Sequence, residues 1–241
     1  MPPLIKACLN GARPAGSHPA LPLTPEALAR DAASALAAGA ELVHIHPRRP
    51  DGTQGLDAET VGSAVAAIHE RCPGLRVGVT TIAGIEPDAE HTIAAVRSWT
   101  VLPDFASVNV HEAGSAEIAA ALLEMGIGVE AGLWTADNAR ALVEQPWAAR
   151  CERILVETVR ARSADDALAA AQAMIGILDA ARLDVPRLVH GFGDTAWPVL
   201  SYALANGYQT RIGLEDVFTL PDGWPAHDNA ELVRTAVALS L

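Results

Sequence analysis

The chain has 241 residues, half of them apolar and 19% charged, with a formal net charge of −12. Such a composition suits a globular protein with a sizeable core, and the lack of a strongly basic stretch argues against a nucleic-acid partner. No apolar run approaches the ~18 residues of a membrane span.

The first residues, MPPLIKACLNGARP, lack the basic-then-apolar layout of a secretory signal. Cys8, Cys72 and Cys151 are far apart and odd in number. They form neither a disulfide framework nor a paired metal motif, so a reducing cytoplasm is expected.

One rhythm runs from end to end: a short apolar run, a turn, then an alanine-rich amphipathic stretch. LIKACLN (4–10) is followed by a helix at TPEALARDAASALAAG, with Thr24 as N-cap, Pro25 in the first turn and Gly39 closing it. ELVHIH (41–46) precedes a helix over 57–74, LRVGVT (75–80) one over 88–99, and FASVNV (105–110) one over 115–126. IGVEAG (127–132) precedes 135–145, RILVET (153–158) precedes 163–181, PRLVHG (186–191) precedes 194–207, and QTRIGL (209–214) precedes 229–241. The helical stretches carry apolar residues at i, i+3, i+4 spacing. Thr135 and Asp194 are expected as N-caps. Eight strand–helix units predict a (β/α)8 TIM barrel in the α/β class, a single domain over 1–241. An open doubly wound sheet binding a dinucleotide would want G-x-G-x-x-G after an early strand, which CLNGARPAG does not match.

Barrel active sites lie at the C-terminal ends of the strands, so those ends are the site candidates. Strand 2 ends Val43-His44-Ile45-His46. Alternation turns both histidines to one face, where two imidazoles can hold a divalent ion, or serve as polar core residues. After strand 8 comes Arg211-Ile212-Gly213-Leu214-Glu215-Asp216. A closed barrel brings that segment near strands 1 and 2. Glu215 can then complete a two-histidine, one-carboxylate zinc set, Asp216 can act as a base, and Arg211 can orient its carboxylate. Further polar strand ends are Thr80 and Thr81, Ser107, Asn109 and His111, Glu130, and His190 before Gly191-Phe192-Gly193-Asp194. The hydroxyls and amides suit substrate oxygens, and the glycine-rich turn suits an anion. His18 sits in the loop after strand 1, within possible reach of the site; His69, His91 and His227 suggest no role.

The runs CLNGAR, TPEALARDAASALAAGAELVHIHPR, VGVTT, FASVNV and RIGLED, in this order, resemble the β-keto acid cleavage enzymes, with AGAELVHIHPR and RIGLED the most specific. The resemblance implies a zinc ion on His44, His46 and Glu215. It implies that Asp216, assisted by Arg211, removes a proton from the carbon between the ketone and carboxylate of a β-keto acid. Exchange with acetyl-CoA would then give acetoacetate and a new acyl-CoA. Thr80 and Ser107 match substrate-contacting positions and Glu130 an acidic strand-5 position; with Asn109 and Arg13 they are the expected substrate-binding residues, and homo-oligomers, usually tetramers, are implied. The chain departs from the family at Arg13, where a glutamate is usual, and in the short loop after Val156-Glu157-Thr158. Arg13 therefore points to a substrate with an additional anion. Two other functions fit the same residues: a CoA-independent metal-dependent hydrolase or aldolase-type lyase, and a non-catalytic metabolite-binding protein.

Overall fold

The computed structural model describes residues 3–240. Its strands are β1 (Ile5–Cys8), β2 (Leu42–Ile45), β3 (Arg76–Thr80), β4 (Phe105–Asn109), β5 (Gly128–Leu133), β6 (Arg153–Glu157), β7 (Arg187–His190) and β8 (Thr210–Ile212). Its helices are α1 (Pro25–Ala37), α2 (Ala58–Arg71), α3 (Ala89–Arg97), α4 (Ser115–Glu124), α5 (Ala136–Val143), α6 (Ala164–Ala180), α7 (Ala196–Ala205) and α8 (Asn229–Leu239). The strands pair in parallel in sequence order, and β8 returns to β1 with Lys6 opposite Arg211. The seam between β7 and β8 closes through Val189 N–H to the Gln209 carbonyl (2.9 Å) and Gln209 N–H to the Arg187 carbonyl (3.1 Å). The result is the expected (β/α)8 barrel.

Local chemistry starts the helices. Thr24, Asp57, Asp88, Thr135, Ser163 and Asp228 each accept a hydrogen bond from a backbone N–H in the following first turn. Asp194 is not such a cap. It lies in a 3₁₀ turn, Gly193–Thr195, and the Phe192 N–H donates instead to Thr195 Oγ1. The turn's Gly193 N–H is also taken, by the Asp216 carbonyl at 2.8 Å, and is not available to the anticipated anion cradle.

Alternation along the strands sorts side chains into two environments. Val43, Ile45, Val77, Val79, Val129 and Ala131 face outward into the apolar layer under the helices. The inner face is strongly polar, where such barrels ordinarily stack branched aliphatics. Near the N-terminal end, Lys6 Nζ donates to Glu130 Oε2 at 2.6 Å and Arg153 Nη1 to Glu130 Oε1. Lys6, Arg76 and Arg153 surround the Phe105 ring at 5.6–5.8 Å. Gly78 makes room for that ring, which fills the place a Cβ would take.

This layer corrects the expectation for Glu130. The side chain is fully buried beneath the site and is consumed by two cations, so it does not meet a substrate there. Burial alone would raise its pKa, but Lys6 and Arg153 outweigh it and hold the carboxyl down to about 2. Alternation puts Glu130 on the inner face, but one layer below the cavity.

Candidate active site

His44 and His46 leave β2 toward the barrel mouth, with rings 5.3 Å apart and edge-on. Asn10 clamps the backbone of His46, donating to its carbonyl at 2.9 Å and accepting from its N–H at 2.8 Å. Gln54 Oε1 can only accept, so its bond to His46 Nδ1 places the proton on that nitrogen. The lone pair is left on Nε2, which faces the site.

Glu215 arrives from the opposite end of the chain. Beyond β8, Gly213 passes so close to the Cys8 carbonyl that a Cβ would collide with it, and the Glu215 N–H bonds that carbonyl at 3.2 Å. In the first loop, Gly11 adopts φ +54°, and the missing side chain leaves the space that Glu215 fills. Glu215 Oε2 then lies 3.9 Å from His44 Nε2, and Oε1 lies 3.9 Å from His46 Nε2.

These contacts are not ion pairs. Burial pushes His44 down to about 3 and lowers His46 as well, so both rings are neutral near pH 7. Burial works against ionising Glu215, but the adjacent Arg211 charge outweighs it and holds the carboxyl well below its ordinary range. Two neutral imidazoles and one carboxylate are the protonation states a divalent metal needs. The three donor atoms lie within 4.8 Å of one another. A tetrahedral ion with bonds of about 2 Å holds its ligands about 3.3 Å apart, so the set stands only slightly open. Glu215 Oε2 is buried and has no hydrogen-bond partner, a deficit that a metal would satisfy.

Arg211 Nη2 donates to Glu215 Oε1 at 2.9 Å and to Asp216 Oδ1 at 2.7 Å. One guanidinium thus orients the carboxylate of the ligand set and its neighbour. Asp216 is fully buried; burial raises its pKa, and Arg211 offsets this only in part. Its Oδ2 has no partner.

A cavity of about 490 Å³ opens over the three donors. Thr80, Ser107, Asn109, Arg13 and Arg211 line it with His44, His46 and Glu215. Glu130 and Asp216 are not among the lining residues, but Asp216 is bonded to Arg211, which is. His18 bonds the Ala226 carbonyl at 2.9 Å and packs on Phe218, away from the cavity lining. His69 and His91 pair locally with Asp104 and Asp88.

Sequence reasoning passed over Glu157, which lines the cavity and sits 3.2 Å from His190 Nε2. Alternation carried the signal: Arg153, Leu155 and Glu157 share the inner face of β6. It carried Asn10 too, which continues the inner face of Lys6 and Cys8. Gln54 had no such signal, because a loop brings it to His46. Replacing Gln54 with leucine is expected to weaken metal affinity about 10- to 100-fold by freeing the His46 ring. Competition against a chelator reads this directly, and wild-type affinity in the variant would contradict it.

A family model described as beta-keto acid cleavage enzyme matches residues 2–240. The 3-keto-5-aminohexanoate cleavage enzyme of Acetoanaerobium sticklandii is 24% identical over 251 aligned positions, covering 98% of this chain and 91% of the relative. Its namesake from Fusobacterium nucleatum is 38% identical over 97 residues, 36% of each chain. Among solved structures, ObcA in ternary complex with a C4-CoA adduct and oxalate superposes with a TM-score of 0.73 at 16% identity. That match covers 91% of this chain and 63% of the ObcA chain, and it speaks to the fold alone.

Proposed function

The chain belongs to the beta-keto acid cleavage enzyme family, and from that premise we propose that it exchanges a β-keto acid with acetyl-CoA, giving acetoacetate and a new acyl-CoA. The observation that carries the metal-dependent part is the convergence of His44, His46 and Glu215 at the cavity floor, with Glu215 Oε2 left unpartnered. His44, His46 and Glu215 would hold a divalent ion, zinc by the nature of the donor set. When bound, the ion would supply Lewis-acid polarisation of the substrate's ketone and carboxylate oxygens.

Asp216 takes the proton from the carbon between ketone and carboxylate. Its buried, unpartnered Oδ2 is the available acceptor, and its raised pKa makes it a stronger base than an exposed carboxylate. Arg211 keeps the other oxygen fixed and, lining the cavity itself, ties Asp216 to its wall. The resulting carbanion attacks the thioester carbonyl of acetyl-CoA, and CoA thiolate leaves. The thiolate then adds to the original keto carbon, the bond to the activated carbon breaks, and Asp216 returns its proton to the departing acetoacetate. Ser107 and Asn109 on the wall of the cavity, with Thr80, are the groups that bind substrate oxygens. Three free buried cysteines fit a reducing cytoplasm, and a homo-oligomer, a tetramer as the family resemblance implies, belongs to the same proposal.

A second proton acceptor is favoured by one observation: Glu157 is a carboxylate on the cavity wall itself. The reaction as a whole is tested with the zinc-loaded protein and a β-keto acid panel, with and without acetyl-CoA. Acetoacetate and acyl-CoA forming only with the thioester support the exchange. Cleavage without it would instead indicate the hydrolase or aldolase-type lyase.

A further inference from the structure

The cavity wall carries a positive charge that the cleavage chemistry does not use. Arg13 is held on every side but one. Its guanidinium lies between the rings of Phe192 and Phe218, at 4.6 and 4.5 Å. Nε donates to the Glu215 carbonyl at 3.0 Å and Nη2 to the Asp216 carbonyl at 3.4 Å. Its own carbonyl, with that of Gly11, is fixed by Arg48 Nη2 at 2.9 and 2.7 Å. Among the described residues Nη1 makes no hydrogen bond and no carboxylate comes within salt-bridge distance of Arg13. Glu215 and Asp216 act on this half-buried guanidinium only through space and are bound by Arg211, so a ligand that supplies a directly paired anion is favoured.

Arg160 repeats the polarity on another part of the wall. It stands 5.5 Å over the Trp134 ring and has no ion pair among the described residues. The opposite charge is represented by Glu157, which His190 already engages. Arg211 is already engaged by two carboxylates, Glu215 and Asp216. Arg13 and Arg160 are therefore the cations of the cavity wall with no carboxylate in direct contact among the described residues, the places where an incoming anion gains a charge partner.

Building on the cleavage reading above, we propose that the substrate is a β-keto acid whose tail bears a second anionic group, and that Arg13 receives that group. The clamped guanidinium offers a preorganised donor edge beside the metal-ligand loop. An anion there supplies the missing counter-charge and fixes the far end of the substrate while the ketone and first carboxylate lie over the histidines.

The test compares a six-carbon β-keto diacid with its distal methyl ester on zinc-loaded protein, with acetyl-CoA. The wild type is expected to favour the diacid in kcat/KM by roughly 10- to 100-fold. In Arg13→Met that ratio falls to about one, and in Arg13→Lys part of it returns. A wild-type ratio near one, or a ratio unmoved in Arg13→Met, overturns the proposal. Equal losses on both substrates also overturn it, since Arg13 would then hold the shared carboxylate. Calorimetry with glutarate and monomethyl glutarate gives a readout independent of turnover. Tighter glutarate binding that disappears in Arg13→Met upholds the anion site even if no β-keto acid is cleaved, a result that would refute the cleavage reading alone; equal binding of the two ligands overturns the anion site.

Discussion

Asp216→Asn is expected to lower kcat for β-keto acid cleavage by about 10²- to 10⁴-fold, the range for loss of a positioned proton acceptor. Asparagine keeps the shape and can still pair its oxygen with Arg211, so metal content should stay at the wild-type level. Glu157→Gln serves as the contrast. Glu157 reaches the cavity but shares an oxygen with His190, and its change is expected to reduce kcat by no more than about tenfold. Steady-state rates on one substrate decide between them. A large loss in Glu157→Gln with a small one in Asp216→Asn would move the base to the β6 side of the cavity.

Lys6→Met should destabilise the fold by about 3–5 kcal/mol, because it removes one partner from a buried ion pair far from water. Denaturant titration measures this, and a loss under 1 kcal/mol would show that Arg153 alone compensates Glu130. The pH dependence has a definite sign. Glu130 has a folded pKa of about 2 against an ordinary 4.5. Its contribution is therefore complete above pH 4.5 and is lost as the pH falls toward 2. Without Lys6 the folded pKa rises, so this contribution to acid stability shrinks and the variant's acid unfolding moves to higher pH.

Strand alternation made most of the architecture legible. His44 and His46, two apart in an apolar run, could only share a face, and eight repeats of one rhythm placed that face inside a barrel. The pairing of β8 with β1 then explains why Glu215, far away in sequence, meets them. Depth was not legible. Glu130 and Glu157 both point inward, yet one lies in the ionic layer around Phe105 and the other borders the cavity. That difference depends on strand stagger and on which cations fill the interior, and periodicity contains neither. Loop partners escaped for a related reason: Gln54 reaches His46 through the path of a turn rather than through a repeat. Arg13 was visible as a charge, but its confinement by Phe192, Phe218 and two carbonyls needed three separate loops to be folded together.

The central claim, a metal centre built by β2 and the segment after β8, is tested most directly by metal analysis of protein purified without chelators. Wild type should carry about one zinc or similar divalent ion per chain, and His46→Ala, keeping its fold by circular dichroism, should carry far less. A wild-type protein that holds no such ion when supplied with zinc, or a His46→Ala variant that binds it as tightly as wild type, would contradict the assignment.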